Sequence, residues 1–204
     1  MAGVSKDLGL IEMINARLRL DDQEESTTGE AIAGMILNGL GFSDRPMSLP
    51  PQCLANKPVG VLFRNGVSAG HGNRFKLGRS LDKACSSGCD LVCSEVALAV
   101  GQREGIALTF TGLDTTSCSL TGAYVPETDT QALAITYGSS KDHRPALTHA
   151  VLALMVAPEG GVPFRSQRWD GQASDTVVFK ERGEALSAPF EARETPRSLL
   201  ADAK

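Results

Sequence analysis

Apolar residues recur at helical spacing through the first hundred positions and then give way to shorter, strand-like runs. Val4, Leu8, Ile11, Ile14 and Leu18 lie three or four residues apart, which predicts one amphipathic helix over residues 4–20. The acidic, polar stretch from Asp21 to Ser26 reads as a solvated linker. Thr27 and Glu30 then have capping-box spacing. They open a helix with Ile32, Met35, Ile36 and Leu40 on one face and Gly41 at its close. Pro46, Pro50, Pro51 and Pro58 break up the following connection. A third helical pattern runs from Asn73 to Lys83. It places Lys76, Arg79 and Lys83 on one face and leaves Phe75, Leu77 and Leu81 for packing. Asp90 can cap a fourth, carrying Val92, Val96 and Val100 toward Glu104, with Gly105 after it.

From Leu108 the pattern changes. Leu108, Phe110 and Leu120, with a dense run of Thr and Ser between them, predict a strand. A long loop follows over 122–145, with a short strand expected over 132–137. Thr148–Ala157 and Gly161–Trp169 read as a hairpin joined by Pro158-Glu159-Gly160-Gly161, and Asp170-Gly171 as a turn. Ser174 or Asp175 can cap a helix through Val178, Phe179, Ala185 and Leu186, ending before Pro189. The stretch from Arg197 to Lys204 begins another strand, and the chain stops inside it. The expected fold class is α+β. A helical module over 1–105 is followed by a mixed β-sheet domain over 106–204 with a crossover helix.

Composition narrows the function. The 204 residues are 42% hydrophobic and 22% charged, an ordinary globular balance. The net charge of -4 excludes a generally basic nucleic-acid binder, so any DNA contact has to come from a local patch such as Lys76, Arg79 and Lys83. The longest apolar run, Ala150–Ala157, is too short to span a bilayer, and a cytoplasmic protein is expected. Cys53, Cys85, Cys89, Cys93 and Cys118 are odd in number and predict reduced thiols. Gly88 interrupts Cys85, Cys89 and Cys93, which reads as small buried side chains rather than a metal ladder.

One position in the strand carries chemistry. Asp114 lies between Leu113 and Thr115. A carboxylate inside a core strand needs compensation, either from a divalent cation or from neighbouring hydroxyls. A crossover after the hairpin would lay the last strand parallel to an earlier one. If that neighbour is the Asp114 strand, Asp114 and Asp202 come together as a carboxylate pair suited to a divalent metal and phosphodiester chemistry.

Six stretches, in order, carry a resemblance. They are Met35-Ile-Leu-Asn-Gly-Leu-Gly-Phe-Ser-Asp-Arg-Pro46, Asn73-Arg-Phe-Lys-Leu-Gly-Arg79, Leu113-Asp-Thr-Thr-Ser117, Ser140-Lys-Asp-His-Arg-Pro145, Trp169-Asp-Gly-Gln-Ala-Ser-Asp175 and Leu200-Ala-Asp-Ala-Lys204. With them the chain resembles the DDE-type transposases of bacterial insertion sequences, in the IS-four-like superfamily with an RNase H-like core. The resemblance implies that Asp114 and Asp202 are the first and second catalytic acids and that both bind Mg²⁺. In a two-metal site one ion activates the attacking oxygen and the other stabilises the leaving oxygen, about 3.5–4 Å apart.

It also implies that Asp170 and Asp175 shape a turn and a helix start, and that Lys141, His143 and Arg144 lie in a loop meeting substrate or core. The helical module would bind transposon ends or serve assembly, with terminal inverted repeats, a second copy or a full-length transposase as partners. A third acid, a Glu on a later helix, completes the family's site, and no residue after Asp202 supplies it. The expectation is therefore a front part, truncated after the second Asp and inactive alone. The alternative is a non-catalytic DNA-binding fragment or regulator. Cys53, Cys85, Cys93 and Cys118 fall where the family often has aromatics, and Gly70 and Gly72 where bulkier residues are expected. Both departures predict a weakened core.

Overall fold

The computed structural model describes residues 2–18, 24–42, 52, 54–106, 110–122, 133–137, 146–174, 177–181 and 198–201. The chain is α+β and divides into two compact units, Met1–Val96 and Ala97–Lys204.

The first unit is helical. Its elements are α1 (Ala2–Asp7), α2 (Leu10–Leu18), α3 (Thr28–Leu37), a π-helical turn (Asn38–Phe42), α4 (Val59–Leu62), a 3₁₀ turn (Ala69–Gly72), α5 (Arg74–Ser86) and α6 (Cys89–Arg103), whose last turns fall beyond Val96. The single helix expected over 4–20 is two helices. Gly9 adopts a left-handed conformation (φ +67°) and breaks the chain between them, a geometry that glycine reaches without steric cost. The capping box forms as expected. Glu30 N donates to Thr27 Oγ1 at 3.1 Å and Thr27 N donates to Glu30 Oε2 at 2.7 Å. Asn15 of α2 reaches this start, accepting from Gly29 N at 2.8 Å and donating to Thr27 Oγ1 at 3.1 Å. Gly41 does not close α3 directly; the π-helical turn extends it to Phe42.

Two apolar clusters hold the helices. Ile14 and Leu18 meet Ala84 and Val92, and Ala31 and Met35 meet Leu77, with Ile32 packed against both clusters. Of the residues expected to pack from α5, only Leu77 is buried; Phe75 and Leu81 are exposed, as are Ile36 and Leu40 of the α3 segment. The reason is geometric. The inward stripe of α5 is Lys76, Leu77, Ser80 and Ala84, so its small residues take the places that larger apolar neighbours would otherwise fill.

The second unit is an open mixed sheet of β1 (Phe110–Leu120), β2 (Thr136–Tyr137), β3 (Thr148–Val156), β4 (Pro163–Asp170) and β5 (Ser198–Ala201). β3 pairs antiparallel with β1 along one side and with β4 and β2 along the other. β5 lies on the far side of β1 and parallel to it. Alternate residues of β3 are buried, as a strand with one core face requires. Leu113, Ala153 and Met155 form that face, and Val178, in a helical segment over 177–181, is fully buried against them. The described part of the connection between β4 and β5 therefore packs on this face. Ser174 begins the segment, with Val177 N and Val178 N donating to its carbonyl.

Candidate functional site

The strand carrying Asp114 is set by its partner. Leu113 pairs with Met155 and Asp114 with Leu154, so the period-2 pleat sends Leu113 and Thr115 into the core and turns Asp114, Thr116 and Cys118 to the other face. Asp114 is exposed, and the premise of a carboxylate inside the core is corrected: it lies on the face of the sheet opposite Leu113 and Thr115. Its Oδ1 accepts from Thr115 N at 2.8 Å.

The parallel partner is the second determinant. The β1–β5 register runs Phe110↔Ser198, Thr111↔Leu199, Gly112↔Leu200, Leu113↔Ala201. The next residue on β1 is Asp114, and the residue after Ala201 in the sequence is Asp202. Asp202 itself lies outside the described residues, as do Lys141, His143, Arg144, Asp175 and Cys53.

Asp170 and Gly171 make a clamp at the other end of the sheet. Asp170 Oδ1 accepts from Ala134 N at 2.8 Å, and Gly171 N donates to Ala134 O at 3.1 Å. A Cβ on Gly171 would lie 2.1 Å from the carbonyl oxygen of His149 and 2.7 Å from that of Thr136. No side chain fits there. His149 is fully buried, with its Nδ1 3.3 Å from Ser119 Oγ across the β1–β3 pair.

The cationic candidate lies in the helical unit, and there the structure departs from the outward basic face. Lys76 is buried, and its Nζ donates to Glu24 Oε2 at 2.6 Å; Lys83 Nζ donates to Glu24 Oε1 at 3.1 Å. Burial alone would raise the Glu24 carboxyl, but the hydrogen bonds and charges of Lys76 and Lys83 outweigh it and hold the group below its ordinary value. Residues 24–26 are thus no solvated linker. Glu25 Oε2 lies 3.4 Å from His71 Nε2, its carbonyl accepts from Arg64 at 3.0 Å, and buried Ser26 donates to the His71 carbonyl at 3.3 Å. Buried Glu30 also pairs with Arg64 at 2.8 Å. Of the three cations expected on one face, Arg79 alone is exposed and has no ion-pair partner among the described residues.

The cysteines are corrected as well. Cys85, Cys93 and Cys118 are exposed and Cys89 is half-buried, so their small size leaves no hole in the core. Among the described residues no three His, Cys, Asp or Glu side chains converge as a metal site. No single described helix is long and apolar enough to cross a membrane.

Residues 1–98 match a protein family described as a domain of unknown function, DUF4277. No curated protein matches the chain. No solved structure matches it.

Proposed function

We propose that this chain carries transposase chemistry of the DDE type, Mg²⁺-dependent phosphodiester transfer in which Asp114 and Asp202 are the first two acids. The observation that carries the reading is the parallel register of β1 and β5. Its last pair, Leu113↔Ala201, immediately precedes both acids in sequence. The order of elements supports it: a strand, an antiparallel hairpin, a helical segment passing one face, and a parallel strand beside the first. That is the front of the RNase H-like core the resemblance implies. The family found over residues 1–98 covers the helical part and carries no activity of its own into the reading.

The donor chemistry fits the metal. Mg²⁺ is a hard cation held by one or two carboxylates together with substrate phosphate oxygens, and it keeps several waters. Asp114 offers an exposed carboxylate, and Asp202 would be the second ligand. Bound there, the cation would supply charge stabilisation at a phosphodiester. The chain's own contribution would be to bring the strand that ends at Ala201 alongside the strand that carries Asp114. Asp170, engaged with Ala134 N, orders the sheet's far end and belongs to the scaffold.

Two acids do not complete the family's site, so the 204-residue chain is expected to leave supercoiled plasmid intact with Mg²⁺ or Mn²⁺. Metal-dependent nicking lost in Asp114→Ala would show an active enzyme instead. The reading itself is tested by Mn²⁺ titration followed by electron paramagnetic resonance. Weak binding lost in both Asp114→Asn and Asp202→Asn is expected. Binding unchanged in both variants would overturn it.

A further inference from the structure

With Lys76 and Lys83 engaged by Glu24, the solvent side of α5 has a different composition from its sequence. Arg74, Phe75, Arg79, Leu81 and Asp82 are exposed there. Phe75 is 64% exposed, a large apolar ring left in water at the first turn of a well-capped helix, where Asn73 Oδ1 accepts from Phe75 N and Lys76 N. The ring is not bare. The guanidinium of Arg74 lies over it, 4.7 Å from the ring centroid. Arg79 is four residues on from Phe75, one turn along the same face. Asp82 is the one carboxylate in α5, so two guanidiniums outnumber it on this side.

We propose that this face is a stacking platform for an unpaired DNA base. Phe75 is the ring on which the base lies, Arg74 flanks it, and Arg79 meets an adjacent phosphate. An aromatic face accepts any base, an arginine beside it adds cation–π attraction, and phosphate contacts place the strand. The two arginines argue for a polyanionic occupant, because an apolar partner would leave both desolvated without a counter-charge. The inference rests on DNA as the partner class of the reading above. It adds the residues that would touch the DNA, removes Lys76 and Lys83 from them, and specifies single-stranded or frayed DNA over closed duplex.

The experiment is fluorescence anisotropy of a labelled single-stranded oligonucleotide and of its blunt duplex with the full 204-residue chain. It is run in EDTA at low salt, so that metal binding by Asp114 and Asp202 plays no part. Wild type is expected to prefer the single strand. Phe75→Ala should weaken that binding about tenfold and leave the duplex nearly unchanged, and Phe75→Tyr should restore it. Arg79→Ala should weaken both and lower the salt slope by roughly one, while Lys57→Ala, an exposed lysine on another segment, should not.

Equal loss with Lys57→Ala, or no effect of Phe75→Ala, overturns the platform, as does absence of DNA binding. Concentration-dependent dimers dispersed by Phe75→Ala would make the face a contact between copies and also overturn it. Because no metal is present, a failed Mn²⁺ titration with intact single-strand binding would sink only the two-acid reading.

Discussion

The two units use charge in opposite ways. In the helical unit, several charged groups are drawn inward and satisfied by one another. Glu24 holds Lys76 and Lys83, and Glu30 both closes the α3 cap and pairs with Arg64. In the sheet unit, apolar residues and His149 fill the core face, while Asp114, Arg165, Arg168 and Asp170 stand exposed. Desolvating an ion is expensive unless its partner is fixed, so buried pairs become part of the scaffold, whereas an exposed carboxylate contributes little to stability. The lesson is one of assignment. The basic cluster that reads as a ligand surface is mostly structural, and the single acid that reads as a buried anomaly is a surface group.

That contrast is open to attack by mutation. The largest effect belongs to Glu24→Gln or Lys76→Ala. Glu24→Gln removes the charge that both lysines face, and Lys76→Ala leaves the Glu24 carboxylate with Lys83 alone; breaking a fully buried pair costs roughly 3–5 kcal/mol. Because Lys83 is partly exposed, about 2–3 kcal/mol is expected here, read as a drop in the urea midpoint. A change under about 0.5 kcal/mol would return Lys76 to the surface class.

The same pair sets an acid limit. The Glu24 carboxyl is held below its ordinary value in the folded chain, so its contribution is complete above about pH 4.3 and is lost as pH falls through the depressed folded value. Urea midpoints measured down through that acid range should fall more steeply for wild type than for Glu24→Gln. Parallel profiles would contradict the assignment.

Thr27→Ala removes the side-chain half of the capping box together with the Asn15 bond. It should cost about 1 kcal/mol, at the centre of the range for such caps. Asp114→Asn should have the smallest effect on folding, within about 0.5 kcal/mol, while removing Mn²⁺ binding. A large destabilisation there would place Asp114 among the structural charges.

Local features were the ones legible in the sequence. The capping box needs Thr27 and Glu30 only three apart, and the hairpin needs alternation and a Pro-Gly connection; both formed as read. That the last strand would run parallel to an earlier one followed from the order of elements, since a connection through a helical segment favours a parallel return; that its neighbour is β1 was left open by the sequence and is set by the register. What stayed hidden was nonlocal. Glu24 meets Lys76 across 52 positions, and nothing in a run of acids between two helices distinguishes a dock from a linker. The inward stripe of α5 includes Ser80 and Ala84, whose small size hides it behind Phe75 and Leu81. The tight approach of Gly171 to His149 and Thr136 likewise depends on strands that only the fold brings together. The break at Gly9 had a local signal, a glycine within the apolar repeat, which the periodicity masked.

The pairing of Asp114 with Asp202 is the claim on which the functional reading stands, and oxidative affinity cleavage tests it directly. Fe²⁺ with ascorbate and peroxide cuts the backbone beside the ion, and mass spectrometry locates the cuts. One bound ion between the two acids predicts cuts around residue 114 and around residue 202 together, both abolished by either Asp→Asn change. Cuts confined to one segment, or surviving in either variant, would contradict it.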